Sequence, residues 1–136
     1  MSKLRRLFTP VDIGFFLDPK VQIMIRKLGH DAVTAYLCLL DQMYYYKDYH
    51  YAIPEACYGT IAGILQMTEL RLREIIVYLI GIEFLSVETD DEGATYVYSP
   101  RRRAQLMDMD QTALKRSEAG VRGMQSRWSN REDYND

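Results

Sequence analysis

The stretch that decides the fold is PEACYGTIAGILQMTELRLREIIVYLIG, residues 54–81. Its first half has a helical pattern whose apolar side consists of Ile61, Ala62 and Leu65. Gln66 and Met67 interrupt this pattern, and Thr68 is a suitable N-cap for a second helix. The continuous apolar face of that second helix consists of Leu72, Ile75, Ile76, Leu79 and Ile80. Two helices joined by so short a turn predict a helix-turn-helix.

Two β-prone segments follow the helix pair and predict a hairpin. They are FLSVE, residues 84–88, and TYVYS, residues 95–99, joined by a turn in which Gly93 provides the conformational freedom. A further short strand is expected before the helix pair in YHYAIP, residues 49–54, because the segment is aromatic and ends at a proline. A helix-turn-helix followed by such a hairpin is typical of winged-helix domains.

Two more helices are expected before this unit. Asp18 and Pro19 are a good N-cap and first helical residue, and Gly29 is expected to end that helix. The next helix is predicted to begin at Asp31 and to run to about Lys47. Its expected apolar face consists of Val33, Tyr36, Leu37, Leu40 and Tyr44. The predicted fold class is therefore mainly α with a small antiparallel β wing: a winged helix-turn-helix with a C-terminal helical extension.

The N-terminal half of the sequence resembles a known family. FFLDPKVQIMIRKLGHDAVTAYLCLLDQMYYYKDYHYAIP, residues 15–54, is similar to the N-terminal winged-helix domain of replisome-organiser proteins of phages and other mobile elements, which are related to DnaD-type primosome proteins. YVYSPRR, residues 96–102, and KRSEAGVRGMQSRW, residues 115–128, are similar to segments that follow the wing in that family. The resemblance implies a role in the initiation of DNA replication, without enzymatic activity.

Charge is distributed unevenly along the chain. The formal net charge is only −2, but residues 1–98 carry 9 Lys and Arg against 13 Asp and Glu, whereas residues 101–128 carry 7 against 3. An acidic body followed by a basic segment points to a polyanionic partner, and a solvated charge run is the alternative.

Composition and apolar patterning exclude several other classes of protein. The hydrophobic fraction of 48% is ordinary for a globular core. No apolar run is long enough to cross a bilayer, and the first residues lack the apolar core of a signal peptide. Cys38 and Cys57 lie among apolar neighbours without metal-ligand spacing, so both are expected to be reduced thiols in a cytoplasmic protein.

The second helix of the pair and the wing give opposite indications about DNA. Arg71, Glu74 and Tyr78 project away from the predicted core, with Arg73 towards an edge, and arginine can read guanine or hold phosphate. Arg71 can equally pair with Glu74, three residues later. The wing tip, Asp90 to Glu92, is acidic and would be repelled by phosphates.

The remaining candidates follow the wing. We expect a winged-helix domain at residues 1–99, a basic amphipathic helix at 100–128 and a disordered tail at 129–136. The predicted nucleic-acid contacts in the helix are Arg101, Arg102, Arg103, Lys115, Arg116, Arg122 and Arg127. The predicted partner or oligomer interface consists of Leu114, Val121, Met124 and Trp128, whose spacings of three and four residues resemble a coiled-coil seam.

The sequence contains no phosphate-binding loop, metal-spaced His and Cys set or nucleophile motif, so we expect neither an enzyme nor a cofactor. Two hypotheses remain. The first is a winged-helix protein that binds duplex or single-stranded DNA in replication initiation. The second is an adaptor that uses the same fold to join subunits or to recruit replication proteins, such as a helicase or its loader. No membrane partner is expected under either hypothesis.

Overall fold

The computed structural model describes the backbone of residues 13–134 and the side chains of residues 13–125. The helices are α1 (Pro19–Leu28), α2 (His30–Met43), α3 (Tyr58–Leu65), α4 (Glu69–Gly81) and α5 (Pro100–Tyr134). The strands are β1 (Ile53–Pro54), β2 (Ser86–Thr89) and β3 (Thr95–Tyr98). Short 3₁₀ turns lie at Phe15–Leu17, Tyr44–Tyr49 and Glu55–Cys57. The molecule is mainly helical with a small antiparallel sheet, which confirms the predicted fold class.

The three strands form one antiparallel sheet in the order β1-β3-β2. Val87 on β2 and Ile53 on β1 both pair with Val97, which lies on the central strand and is buried. The short strand that was expected before the helix pair therefore adds a third strand to the hairpin. Gly93 turns the hairpin with φ of 87°, a left-handed conformation that favours glycine.

Local signals determine where the helices begin and end. The Asp18 carboxylate accepts a hydrogen bond from the Lys20 backbone N–H at 2.8 Å, and the Thr68 hydroxyl accepts one from Arg71 N–H at 3.1 Å. Gln66 adopts a left-handed conformation, with φ of 56°, in the turn between α3 and α4. These features confirm the predicted starts of α1 and α4 and the tight turn of the helix-turn-helix. The prediction that Asp31 begins α2 as its cap is wrong, because α2 begins at His30 after Gly29 and no side chain caps it.

The core lies between the helices and the inner face of the sheet. On α4 it contains Leu72, Ile75, Ile76 and Leu79, as the periodicity predicts, while Ile80 is only half-buried. On α2 the prediction is partly wrong: the buried side chains are Ala32, Val33, Ala35, Leu39, Leu40 and Met43. The α-helix ends at Met43, and the tyrosines that follow continue in a 3₁₀ turn with non-helical φ and ψ at Tyr46. Tyr44 is consequently exposed.

The chain divides into two compact units, Met1–Arg103 and Ala104–Asp136. The first unit thus extends four residues beyond the predicted boundary at residue 99. The second contains the remainder of α5, whose helical backbone continues to Tyr134. Helical backbone thus covers residues 129–134 of the tail that was predicted to be disordered at 129–136, and residues 135–136 lie outside the described residues. Within residues 13–134, no helix has the combination of length and apolar content needed to cross a membrane.

The Thr68 cap should make a measurable contribution to stability. Thr68→Ala removes the acceptor of the Arg71 N–H at the start of α4, so the free energy of unfolding should fall by about 1 kcal/mol. Thr60→Ala is a matched control, because Thr60 is exposed inside α3. The control should stay within about 0.5 kcal/mol of the wild type in urea denaturation. Equal losses in the two variants would show that the cap has no special role.

Candidate nucleic-acid interface

The outward face of α4 is apolar and acidic. In a winged helix-turn-helix the second helix of the pair usually enters the major groove. The side chains most exposed on α4 include Leu70 and Val77, which are 78% and 69% exposed, and Glu74 lies on the same face. Arg71 and Tyr78 were expected to project outward, but both are half-buried rather than exposed. The arrangement offers carboxylate and aliphatic groups where a DNA-reading helix usually presents donors to phosphates and base edges.

Arg71 is held in a network within the domain. Its guanidinium lies 3.0 Å from the Asp31 carboxylate and 3.3 Å from that of Glu74, and it donates to the Leu28 carbonyl oxygen. The Arg71–Glu74 pairing that the sequence allowed is confirmed, and the longer-range pair with Asp31 is added to it. Contact with DNA would compete with all three interactions.

The pKa values of the two principal partners record this pairing. The hydrogen bond from Arg71 holds the pKa of Asp31 below its usual value, and the same bond raises the pKa of Arg71. Because the folded-state pKa of Asp31 is lowered, its charged form stabilises the fold above the unfolded-state pKa. That contribution is lost as pH falls through the folded-state pKa.

Arg73 is similarly occupied. Its guanidinium lies 2.5 Å from the Glu55 carboxylate and 3.6 Å from that of Glu69, and it stacks over the Tyr58 ring with 5.0 Å to the centroid. Hydrogen bonding to Glu55 is the main reason that the pKa of Arg73 is raised. Both arginines predicted to touch DNA from α4 are therefore neutralised by carboxylates of the domain itself.

The three arginines at the start of α5 have different environments. Arg101 is exposed, whereas Arg102 is only 4% exposed. Arg103 forms a bidentate pair with Glu88 at 2.6 and 3.1 Å, donates to the His50 carbonyl oxygen at 2.7 Å and covers the Tyr98 ring at 3.6 Å. The prediction that all three contact phosphate is thus wrong for Arg102, which is buried, and Arg103 is engaged in fixing the start of α5 to the sheet.

The wing is acidic and rigidly built. One Asp90 carboxylate oxygen accepts from the backbone N–H groups of Glu92 and Ala94, at 2.9 and 2.8 Å. Its other oxygen accepts from the Tyr96 hydroxyl at 3.0 Å. The Ala94 N–H is the largest cause of the lowered pKa of Asp90. The acidic residue at this tip is therefore a structural part of the turn, and its negative charge disfavours DNA.

A cavity of about 420 Å³ lies beside the wing and carries the same sign of charge. Its lining consists of Asp48, Tyr49, His50, Glu88, Thr89, Asp90 and Tyr96. Although acids are frequent here, the described residues contain no cluster of three or more His, Cys, Asp or Glu able to hold a metal ion. Its lining residues include no lysine or arginine that would favour phosphate.

Further exposed positive charge is found on α5 beyond Ala104. Lys115, Arg116 and Arg122 are exposed, and they form no ion pair with any residue whose side chain is described. A Cβ added at Gly120 or Gly123 would meet no described atom within 4 Å, so this part of the helix surface is open. Of the predicted phosphate contacts, these three remain fully available. The side chain of Arg127 lies outside the described residues.

The predicted partner interface is also exposed on α5. Leu114, Val121 and Met124 are 60%, 52% and 56% exposed, which leaves their apolar surface uncovered. The side chain of Trp128 lies outside the described residues. On α4, the exposed Leu70 and Val77 were missed as a second apolar surface, although they project opposite the core face when residues 69–81 are placed on a helix.

Comparison with known proteins gives one match. A family model described as Lin1244/Lin1753-like, N-terminal, matches residues 8–99, which covers the helix-turn-helix and the wing. No curated protein and no solved structure matches the chain.

The Arg71 network can be tested by pH titration. In an Arg71→Gln variant the pKa of Asp31 should rise towards its ordinary value, because its main hydrogen-bond donor is lost. Carboxyl chemical shifts measured by NMR between pH 2 and pH 6 report this directly. Asp90 provides an internal control, since backbone N–H groups and Tyr96 lower its pKa. An unchanged Asp31 pKa would contradict the pairing.

Proposed function

The chain belongs to the Lin1244/Lin1753-like family by its N-terminal domain, and on this premise we propose that it is a non-enzymatic DNA-binding protein of replication initiation in a bacterial phage or other mobile element. The replication role is supported by the resemblance of residues 15–54 and 115–128 to replisome organisers of the DnaD type. The DNA contact is supported by the distribution of exposed positive charge.

The observation that carries the proposal is the difference between the two groups of basic residues. The arginines of α4 are bound to carboxylates, whereas Lys115, Arg116 and Arg122 are exposed on α5. Phosphate contacts require cations whose charge is not already neutralised. The proposed DNA contact is therefore the basic surface of α5, and no phosphate contact is assigned to α4 or to the acidic wing.

Glycine placement on α5 is consistent with close approach of a phosphate backbone. Arg116, Gly120 and Gly123 lie on one side of the helix, roughly opposite Leu114 and Val121. The absence of Cβ atoms at the two glycines lowers the profile of that side, at about 1 kcal/mol of helix stability for each glycine. Binding of this kind reads charge and shape, so it should depend strongly on salt and weakly on base sequence.

Salt-dependent DNA binding tests this function. The Lys115→Ala, Arg116→Ala, Arg122→Ala triple variant should bind labelled DNA more weakly, and the slope of log K against log salt for duplex should fall by about 2–3. Fluorescence anisotropy over a salt series, with duplex and single-stranded DNA, measures both quantities.

A matched control variant for this experiment has the same net charge as the Lys115, Arg116, Arg122 triple variant. The Arg26→Ala, Lys27→Ala, Lys47→Ala variant also loses three positive charges, but from exposed positions on the first unit. It should retain the wild-type salt slope. Equal losses in both triple variants would mean that net charge alone drives binding, and no binding at low salt would contradict the proposed function.

The second candidate function is a replication adaptor without direct DNA contact. The exposed Leu70 and Val77 on α4 and the acidic wing favour it, because both features suit protein better than DNA. Partners under this proposal are other copies of the chain or replication proteins such as a helicase or its loader.

The adaptor function predicts that Val121→Asp combined with Trp128→Asp weakens self-association or binding to a helicase loader. The reason is that aspartate would place unpaired charge in an apolar contact. Analytical ultracentrifugation and a pull-down with the purified loader provide the readouts. A double variant that keeps both the oligomeric state and loader binding would count strongly against the adaptor.

A further inference from the structure

The exposed apolar residues of α4 have the spacing of a helix-packing surface. Leu70 and Val77 are seven residues apart, which places them on one face and about 10.5 Å apart along the helix axis. Both are more than two-thirds exposed, although the helix has a fully buried face on its other side. Two large aliphatic side chains at this spacing are an unpartnered stripe rather than single surface residues.

The apolar residues of α5 have the same spacing. Leu114 and Val121 are also seven residues apart, and both are at least half exposed. In each helix a leucine comes first and a valine follows, so the two stripes match in length and in the volumes of their side chains. Packing of two helices through residues at heptad spacing is the geometry of a short coiled-coil contact.

Charge complementarity identifies which stripes pair. Around the α4 stripe the two arginines face four carboxylates, those of Asp31, Glu55, Glu69 and Glu74. Residues 114–122 of α5 contain three basic side chains and a single acidic one, Glu118. Packing α4 on α4 would bring carboxylates together, and packing α5 on α5 would bring basic residues together. A pair of unlike helices avoids both of these net repulsions, and Glu74 and Glu118 are then the like charges that lie between the stripe residues.

We propose that α5 of one copy docks on α4 of a second copy, with Leu114 and Val121 against Leu70 and Val77. Reciprocal exchange gives a closed two-fold dimer with two equal contacts. Lys115 and Arg122, each next to a stripe residue, lie about 100° from the stripe, so a dimer would draw them towards the carboxylates around α4 and DNA would compete for them. Arg116 lies about 200° around the helix from Leu114 and stays available for phosphate. The inference does not depend on DNA binding.

Mixing of two defective variants tests this pairing. Val77→Asp damages the α4 surface and Val121→Asp damages the α5 surface, so each variant alone should self-associate at least about tenfold more weakly than the wild type. In an equimolar mixture, α5 of the Val77→Asp chain meets α4 of the Val121→Asp chain with both stripes intact. The mixture should therefore form heterodimers more tightly than either variant forms homodimers.

The measurement is the mass distribution by light scattering and by native mass spectrometry, with the two variants distinguished by a mass label. Val87→Asp is the matched control, since Val87 is 43% exposed on β2 and should leave self-association unchanged. Circular dichroism melting of each variant checks that folding is preserved. DNA anisotropy on the same samples is a separate readout, so failure of the dimer and failure of DNA binding are distinguishable.

Three outcomes would overturn the proposal. A wild type that stays monomeric at high micromolar concentration would show that the stripes do not join copies. A mixture that associates no better than its components would indicate that α4 pairs with α4 and α5 pairs with α5. In that arrangement every contact of the heterodimer contains one damaged surface. Loss of association in Val87→Asp would show a non-specific effect of added charge.

Discussion

Both the packing of the domain and the charge of its surface depend on the hydrogen bonds and ion pairs of the Arg71 guanidinium. It joins α4 to the α1–α2 junction, through the Leu28 carbonyl oxygen and the Asp31 carboxylate, and also binds Glu74 on its own helix. An arginine can satisfy several acceptors at once because its donors form a rigid fork. The contacts that position α4 also neutralise the positive charge that a DNA-reading helix would present to phosphates and base edges.

Arg73 and Arg103 repeat this pattern elsewhere in the first unit. Arg73 connects α4 to Glu55 before α3, and Arg103 connects the start of α5 to Glu88 on the sheet. Each partly exposed pair adds only modestly to stability. Their combined effect on function is larger, since the three arginines become structural links. On α5, by contrast, Lys115, Arg116 and Arg122 are exposed and have no ion pair with any described side chain.

The fold could be predicted from the sequence because its signals are local. Thr68 precedes α4 by one residue, the buried residues of α4 recur at helical spacing, and Gly93 lies within the hairpin turn. The prediction that Tyr44 lies on the apolar face of α2 was also wrong for a local reason. An aromatic run has no strong preference between a continued α-helix and a 3₁₀ turn.

The candidate site was harder to predict because its decisive contacts are distant in sequence. Asp31 lies 40 residues from Arg71, and Glu88 lies 15 residues from Arg103. A list of basic residues does not reveal which of them will meet a carboxylate after folding. The burial of Arg102 is likewise a consequence of tertiary packing. Helical projection identified Arg71 as outward-facing, but it could not show that the guanidinium bends back to the α1–α2 junction.

Dimer formation and DNA binding would both draw on Lys115 and Arg122, whereas Arg116 lies on the face of α5 opposite the stripe. Coupling is reciprocal, so a dimer that engages these cations and weakens DNA binding would itself be weakened by DNA by the same factor. The acidic wing would repel phosphates wherever they approach the first unit. The pairing of arginines within the winged helix thus leaves Lys115, Arg116 and Arg122 of α5 as the cations on which the proposed DNA binding rests.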